Sequence, residues 1–176
     1  ELSSGMKFPE YLTSKNILPG IKVDQGLEDF SPYEKLTKGL DGLSERLGKY
    51  YALGARFAKW RAVITPGDSI PTDDCILANA KNLAKYAKKC QQANLVPIVE
   101  PEVLMDGVHT IDESFDITSR TLNMVFDQLD EHNVSLQGIV LKPNMILSGY
   151  ECSYQASIEE VAEKTVNCLS AHVPSE

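Results

Sequence analysis

The stretch LQGIVLKPNM, residues 136–145, combines an apolar run with a lysine and a proline at its end. A buried strand of a parallel sheet is typically a continuous apolar run, so residues 136–141 are predicted to form such a strand. Pro143 has no backbone N–H to donate to a sheet, which places Lys142 at the carboxyl end of the strand. In barrels and open α/β sheets, functional groups gather at the carboxyl ends of strands. Lys142 is therefore a candidate functional residue, and a lysine that extends into solvent is the alternative.

Three further segments resemble this one, and a helical pattern follows each of the four. The predicted strands are residues 17–24, 55–61, 95–100 and 136–141. The predicted helices, with apolar residues every three or four positions, are residues 39–53, 73–94, 114–133 and 157–172. Ser157 and Glu160 match a capping box at the start of the last helix. The chain is thus predicted to contain four consecutive βα units.

The charged residues that mark the four strands are almost evenly spaced. Lys22, Lys59, Glu100 and Lys142 are separated by 37, 41 and 42 residues, and a spacing of about 40 suits repeated βα units. The interpretation is an α/β fold, a (β/α)8 TIM barrel of which this chain supplies about four βα units. A doubly wound sheet is the alternative, but the sequence has no GxGxxG or GxxxxGK[ST] phosphate loop. Because each marker is predicted at the carboxyl end of its strand, a barrel with one shared mouth is preferred.

Length, charge and cysteine content restrict the possible functions. The 176 residues, 43% of them hydrophobic, are predicted to form a single domain, 1–176, that is the central portion of the barrel. The net charge of −8 disfavours nucleic acid and anionic membranes as partners, whereas a small anionic substrate remains possible. The absence of a long apolar stretch or a signal-like start predicts a cytoplasmic protein. Four cysteines without a CxxC pair are predicted to be reduced thiols, and the three histidines lack metal-binding spacing.

The chain starts without a methionine and stops soon after its fourth predicted helix. Four units are half of a barrel, and half a barrel would leave two sheet edges unpaired. We therefore expect the chain to be an excerpt of a longer protein, and the 176 residues to be inactive on their own if that protein is an enzyme.

Ionisable residues recur two positions apart in three of the predicted strands. Side chains alternate across a strand, so residues at i and i+2 face the same side. Three such pairs and a lone lysine form the candidate site: Lys22 with Asp24, Lys59 with Arg61, Glu100 with Glu102, and Lys142. Charges are seldom gathered in this way unless they compensate one another or carry out chemistry.

A lysine among cations and carboxylates points to Schiff-base chemistry. An amine attacks a carbonyl only when neutral, and the pKa of a free lysine is about 10.4. Desolvation and positive charge from Lys59 and Arg61 would lower the pKa of Lys142, which becomes the candidate nucleophile. Glu100 is the candidate for proton transfer. Glu102 would raise the pKa of Glu100 and Lys59 would lower it, and the sequence leaves the balance open.

An anionic substrate group also needs cations that do not react. Lys22 and Arg61 are the candidates, because arginine makes forked contacts with phosphate oxygens. Trp60, between two candidate site residues, is predicted to be a core or wall residue. His109, in a predicted loop with a turn at Asp106–Gly107, is interpreted as structural, with a substrate contact as the alternative.

Five motifs resemble those of class I fructose-bisphosphate aldolases, and together they run through almost the whole chain. They are IKVDQG (21–26), GLDGLSER (39–46), FAKWR (57–61), IVEPE (98–102) and LKPNM (141–145). The resemblance implies strands three to six of a (β/α)8 barrel that reversibly splits fructose 1,6-bisphosphate into dihydroxyacetone phosphate and glyceraldehyde 3-phosphate. It also implies a role in glycolysis and gluconeogenesis, no metal or other cofactor, and a homotetramer.

The resemblance also assigns the site residues. It implies that Lys142 is the Schiff-base lysine, that Glu100 transfers protons and that Lys59 assists. The residues that it implies for substrate binding are Lys22, Asp24, Arg61 and Glu102. The family's first-strand aspartate, the serine and glycines after its seventh strand, and the phosphate-binding arginine of its eighth strand have no counterpart in these 176 residues.

Two alternatives remain open at this point. Another Schiff-base barrel, an aldolase or transaldolase of a different family, would share the lysine chemistry, but the KWR and EPE motifs count against it. A catalytically silent half-barrel that self-associates is the alternative from a different class. The presence of all seven candidate site residues argues against a silent fragment.

Overall fold

A computed structural model describes residues 2–3 and 5–175; Glu1, Ser4 and Glu176, which fall within the predicted domain, lie outside the described residues. The helices are Phe8–Ser14 (α1), Leu43–Ala52 (α2), Asp73–Gln92 (α3), Ile111–Glu131 (α4) and Ile158–His172 (α5). The strands are Gly20–Lys22 (β1), Leu27–Asp29 (β2), Lys35–Thr37 (β3), Phe57–Ile64 (β4), Val96–Val103 (β5) and Val140–Leu141 (β6). All four predicted strands and all four predicted helices are represented.

The main sheet is parallel and follows the order of the chain. Its strands are arranged β1-β4-β5-β6, and Lys22, Lys59, Ile98 and Val140 stand side by side across it. A doubly wound sheet would reverse its strand order at a switch point, whereas this order runs in one direction. Helices α2, α3 and α4 share one core with the buried residues of the strands. The architecture is that of consecutive units of a (β/α) barrel, as predicted.

The core between the sheet and the helices is centred on two aromatic residues. Trp60 is fully buried, as predicted, and stacks on Tyr86 of α3 with 5.4 Å between the ring centroids. The Tyr86 hydroxyl donates to the carbonyls of Ala58 on β4 and Ile98 on β5. One tyrosine therefore joins α3 to the two central strands, and burial raises the pKa of that hydroxyl.

The predicted position of the charged residues along the strands is wrong for β4 and β5. Lys59 and Arg61 lie inside β4, which continues through Ala62, Val63 and Ile64, and Glu100 lies inside β5. These apolar residues are buried and pair with residues 101–103, so both strands extend beyond the charges. The prediction holds for Lys142, which follows the last residue of β6.

The outer strands of the sheet are shorter than predicted. Residues 136–138 form a 3-10 turn, and only Val140 and Leu141 pair with β5. The Gln91 side chain of α3 accepts a hydrogen bond from the Ser135 N–H and donates one to the Ser135 carbonyl, which anchors this connection to the helix. The first predicted strand, residues 17–24, is reduced to residues 20–22.

Several elements had no clear sequence signal. The short helix α1 and the antiparallel pair β2–β3 were not predicted, because segments of three to seven residues are too short for a periodic pattern. The predicted capping box of α5 is half formed: Ser157 Oγ accepts from the Glu160 N–H, but the Glu160 carboxylate accepts from the Tyr154 hydroxyl. A complete capping box begins α4, between Thr110 and Glu113.

The predictions of free thiols and of no membrane span can be compared with the structure. All four cysteines are free, and burial raises the pKa of the Cys75 and Cys90 thiols to about 12. In the part of the chain that the structure describes, no helix combines the length and apolar character of a membrane span.

Candidate active site

The candidate site lies on the face of the sheet that points away from the helices, called the inner face below. Ala58, Trp60 and Ala62 of β4 are buried against the helices, so Lys59 and Arg61 between them point the other way. The same alternation applies to β1 and β5, and Lys142 follows β6 beside Glu100. The inner face carries all seven predicted site residues: Lys22, Asp24, Lys59, Arg61, Glu100, Glu102 and Lys142.

Glu100 is the centre of this group. The residue is only 2% exposed, and its Oε1 accepts a hydrogen bond from Lys142 Nζ at 2.6 Å. Lys59 Nζ lies 2.8 Å from Oε2 as an ion pair that lacks hydrogen-bond alignment, so Oε2 has no hydrogen-bond partner among the described residues. Sheet register explains the arrangement, because Val99 pairs with Leu141 and so brings Glu100 beside Lys142. A buried carboxylate thus lies between two ammonium groups.

Glu102 has a different cation. Arg61 directs both Nε and Nη2 to Glu102 Oε2, across the same pair of strands. The two glutamates therefore have separate cationic partners, Lys59 and Lys142 for Glu100 and Arg61 for Glu102.

Lys22 and Asp24 form a third pair at the other end of the sheet. Lys22 Nζ donates to Asp24 Oδ1 at 2.5 Å, while Asp24 Oδ2 is buried without a hydrogen-bond partner among the described residues. In the described part of the chain, neither side chain forms an ion pair with the other five site residues. The fold places this pair on the inner face without joining it to the Glu100 cluster.

Arg46 supports the Lys22–Asp24 segment, and sequence reasoning missed it. Its Nη1 donates to the Val23 carbonyl at 2.9 Å, and its Nη2 donates to the Gly39 carbonyl at 2.5 Å. Val23 lies between the two site residues, so the α2 arginine fixes the backbone that presents them. The available signal was the arginine in the GLDGLSER motif, which directly precedes the buried Leu47 of α2.

Thr37 helps to hold the strand that carries Lys59 and Arg61. The Thr37 hydroxyl of β3 donates to the Arg61 carbonyl at 2.8 Å, which ties the short antiparallel pair β2–β3 to β4.

His109 is 7% exposed and lies in the loop after β5, and its backbone carbonyl accepts from the Gly149 N–H. Burial lowers the pKa of His109, and the ring makes no hydrogen bond to the seven site residues. Its Nδ1 is buried without a hydrogen-bond partner among the described residues, and the structural interpretation stays a prediction.

Among residues 2–3 and 5–175, no group of three or more histidine, cysteine, aspartate or glutamate side chains is arranged to hold a metal ion.

Comparisons with known proteins identify the family. The family model described as class-I fructose-bisphosphate aldolase matches residues 1–176. The "Probable fructose-bisphosphate aldolase class 1" of Xanthomonas axonopodis pv. citri (strain 306) is 54% identical over 173 residues, which are 97% of this chain and 52% of that protein. "Fructose-bisphosphate aldolase 1" of Toxoplasma gondii is 50% identical over 175 residues, 97% of this chain and 48% of that protein.

A solved structure agrees with these sequence matches. Fructose-bisphosphate aldolase from Plasmodium falciparum, crystallised with TRAP and a small-molecule inhibitor, superimposes with a TM-score of 0.95 at 46% identity. The overlap covers 99% of this chain and 51% of that one. The chain spans about half the length of the curated relatives it matches, and its fold is that of half an aldolase barrel. The chain belongs to the class I fructose-bisphosphate aldolase family.

Proposed function

We propose that residues 1–176 are the central portion of a complete (β/α)8 barrel and supply its strands three to six. The support is the length of the relatives, about twice that of this chain, together with the sequential parallel strand order. The complete barrel catalyses the reversible cleavage of fructose 1,6-bisphosphate to dihydroxyacetone phosphate and glyceraldehyde 3-phosphate, in glycolysis and gluconeogenesis. The reaction uses a protein amine and needs no metal.

The observation that carries this proposal is the position of Glu100 between Lys142 and Lys59. Lys142 passes a proton to Glu100, and its neutral amine then attacks the substrate ketone. Glu100 returns the proton to the hydroxyl of the resulting carbinolamine, and loss of water gives an iminium. The hydrogen bond of 2.6 Å to Glu100 provides a direct route for protons between the carboxylate and the lysine nitrogen.

Carbon–carbon cleavage follows from the iminium. Its positive nitrogen accepts the electrons of the bond between the α and β carbons as that bond breaks. Glu100 takes the proton of the β-hydroxyl, and the hydroxyl-bearing carbon leaves as an aldehyde. The enamine that remains is protonated and then hydrolysed to release the ketone product and regenerate Lys142. Lys59, 2.8 Å from Oε2, balances the charge of the carboxylate as protons move.

The other four residues are proposed to bind the substrate. Lys22 and Arg61 supply positive charge for phosphate groups, whereas Asp24 and Glu102 accept hydrogen bonds from sugar hydroxyls or orient their cationic partners. Asp24 Oδ1 accepts a hydrogen bond from Lys22 Nζ, so this carboxylate is placed to orient its cationic partner.

Trapping of the iminium tests the proposal. The complete protein is incubated with dihydroxyacetone phosphate and borohydride, which reduces an iminium to a stable amine, and peptide mapping locates the adduct. We expect one adduct at Lys142 that is absent from Lys142→Met. Lys85→Met is the matched control, because Lys85 is exposed on α3, and it should label normally. Absence of an adduct from the complete protein would refute the Schiff-base mechanism, whereas absence only from the 176-residue chain would show that this half-barrel needs the remaining strands.

We also propose a class of substrate, a location and an oligomeric state for the protein. A sugar phosphate is the expected substrate, and the net charge of −8 supports the absence of nucleic acid or an anionic membrane among its partners. A cytoplasmic homotetramer is proposed from the family resemblance. Light scattering on the complete protein and fractionation of the source cells would test these two points.

A further inference from the structure

The loop that follows Lys142 is held by an asparagine side chain. Asn144 Oδ1 accepts a hydrogen bond of 3.1 Å from the Val103 N–H, and its Nδ2 donates to Thr118 Oγ1 on α4, also at 3.1 Å. We propose that Asn144 is a positioning residue for Lys142 and that Thr118 holds Asn144 in place, a role that rests on the function proposed above.

Backbone pairing between β5 and β6 ends after a few residues. The last backbone bond between β5 and β6 joins the Lys142 N–H to the Val99 carbonyl at 2.8 Å. Continuation of a parallel ladder would next use the N–H groups of residues 101 and 144. Residue 101 is a proline and has no N–H to donate, and Pro143 follows the lysine directly. Regular pairing therefore stops at the residue proposed to be the nucleophile.

The Asn144 side chain replaces the missing part of the ladder. In a regular parallel pair the Val103 N–H would donate to the backbone carbonyl of Asn144, and here it donates to the side-chain oxygen of the same residue. Lys142 is thus bounded by two links to β5, the Val99 bond at its own N–H and the Asn144 bond two residues later. Together they restrict the backbone that aims Nζ at Glu100.

Helices α4 and α5 reinforce this segment through hydroxyl groups. On α4, Thr118 Oγ1 accepts a hydrogen bond from Asn144 Nδ2, and Ser114 Oγ accepts one from the Leu147 N–H. On α5, Thr165 Oγ1 accepts a hydrogen bond from the Ile146 N–H. Ile146 itself is buried between the two helices. Backbone groups without a strand partner are therefore satisfied by side chains, which gives a fixed loop rather than a mobile one.

The first experiment asks whether the link to Val103 exists. Amide hydrogen exchange of the Val103 N–H is measured in the complete protein, for Asn144→Ala and for Asn144→Asp. Aspartate keeps an acceptor oxygen at the position of Oδ1, so we expect fast exchange in the alanine variant and protected exchange in the aspartate variant. Equal protection of Val103 in the wild type and in Asn144→Ala would overturn the proposal, whatever the protein's activity.

The second experiment tests the effect on Lys142. Thr118→Val is compared with Thr121→Val, since both threonines are buried on α4 to the same extent but Thr121 Oγ1 has no hydrogen-bond partner among the described residues. At saturating dihydroxyacetone phosphate, Thr118→Val and Asn144→Ala should slow borohydride trapping about tenfold or more, with little change in KM, because a misplaced nucleophile affects the chemical step. Thr118→Ser keeps the hydroxyl and should restore the rate, whereas Thr121→Val should trap at the wild-type rate.

These comparisons separate positioning from general stability. Equal rates for Thr118→Val and the wild type, or equal losses in Thr118→Val and Thr121→Val, would overturn the proposal. Absence of an adduct in the wild type would refute the proposed function, and the Val103 exchange measurement would still test the Asn144 link.

Discussion

Replacement of Glu100 by glutamine is the most informative single change at the candidate site. The substitution keeps the size of the side chain and its place on β5 but removes the negative charge that Lys59 and Lys142 share. Glutamine can still accept a hydrogen bond from one ammonium group, but it cannot take a proton from a substrate hydroxyl. The proposed function therefore predicts a loss of catalysis with preserved folding.

The expected size follows from the geometry. At separations of 2.6 and 2.8 Å, each lysine attracts the carboxylate with a gross energy of about 6 kcal/mol at an effective dielectric constant of about 20. Desolvation of the buried carboxylate offsets most of this attraction. Both lysines also keep access to solvent, since the side chain of Lys142 is 56% exposed and that of Lys59 is 33% exposed. We therefore expect Glu100→Gln to lower the free energy of unfolding by only about 1–2 kcal/mol. Loss of proton transfer should reduce kcat by about 10²- to 10⁴-fold, or about 3–5 kcal/mol of transition-state stabilisation.

The assay is the initial rate of fructose 1,6-bisphosphate cleavage by the complete protein, with urea unfolding in parallel. Glu102→Gln is the matched control: the same residue type on the same face of β5, paired with Arg61 instead of the lysines. We expect it to raise KM more than it lowers kcat, because its partner is a proposed substrate-binding residue. A folded Glu100→Gln enzyme with kcat within threefold of the wild type would refute the reasoning.

Two further predictions concern stability. Tyr86→Phe removes the donor that joins Ala58 to Ile98, so its free energy of unfolding should fall by about 1–2 kcal/mol in urea titrations, and Tyr50→Phe, whose hydroxyl makes no hydrogen bond among the described residues, should be neutral. An unchanged midpoint for Tyr86→Phe would contradict that role. Burial lowers the pKa of His109 below its ordinary value of 6.5. As the pH falls, the unfolded chain therefore binds the proton before the folded protein does. The free energy of unfolding should decrease as the pH falls from about 6.5 to the lowered pKa and should be constant below it. Urea midpoints between about pH 7.5 and about pH 5 should show this decrease, and His109→Gln should show less of it; identical pH dependence in the two proteins would count against a neutral buried histidine.

Much of the fold could be predicted from local patterns. The spacing of apolar residues located α3, α4 and α5 to within a few residues, because each helix is long enough to show a clear period. The strand ends were less predictable. β4 extends to Ile64 because its last residues pair with β5, whereas β6 is only two residues long, since Pro101 of β5 has no N–H to continue the ladder beyond Lys142.

The sequence by itself determined which residues share the inner face. Alternation along a strand is a property of the backbone, so the spacing of Lys59 with Arg61 and of Glu100 with Glu102 was sufficient to group them. The proline after Lys142 likewise predicted that this lysine follows the end of its strand. The family resemblance also rested on the sequence alone, because its motifs are contiguous stretches of the chain.

Only the tertiary structure decided which charges meet. Glu100 pairs with both Lys59 and Lys142, and Glu102 pairs with Arg61, because the register between neighbouring strands and the reach of each side chain select the partners. The contacts of Arg46 with Val23 and of Asn144 with Val103 likewise join residues more than 20 positions apart. Such pairings depend on how separate elements pack together, and the pattern within a single strand or helix does not contain that information.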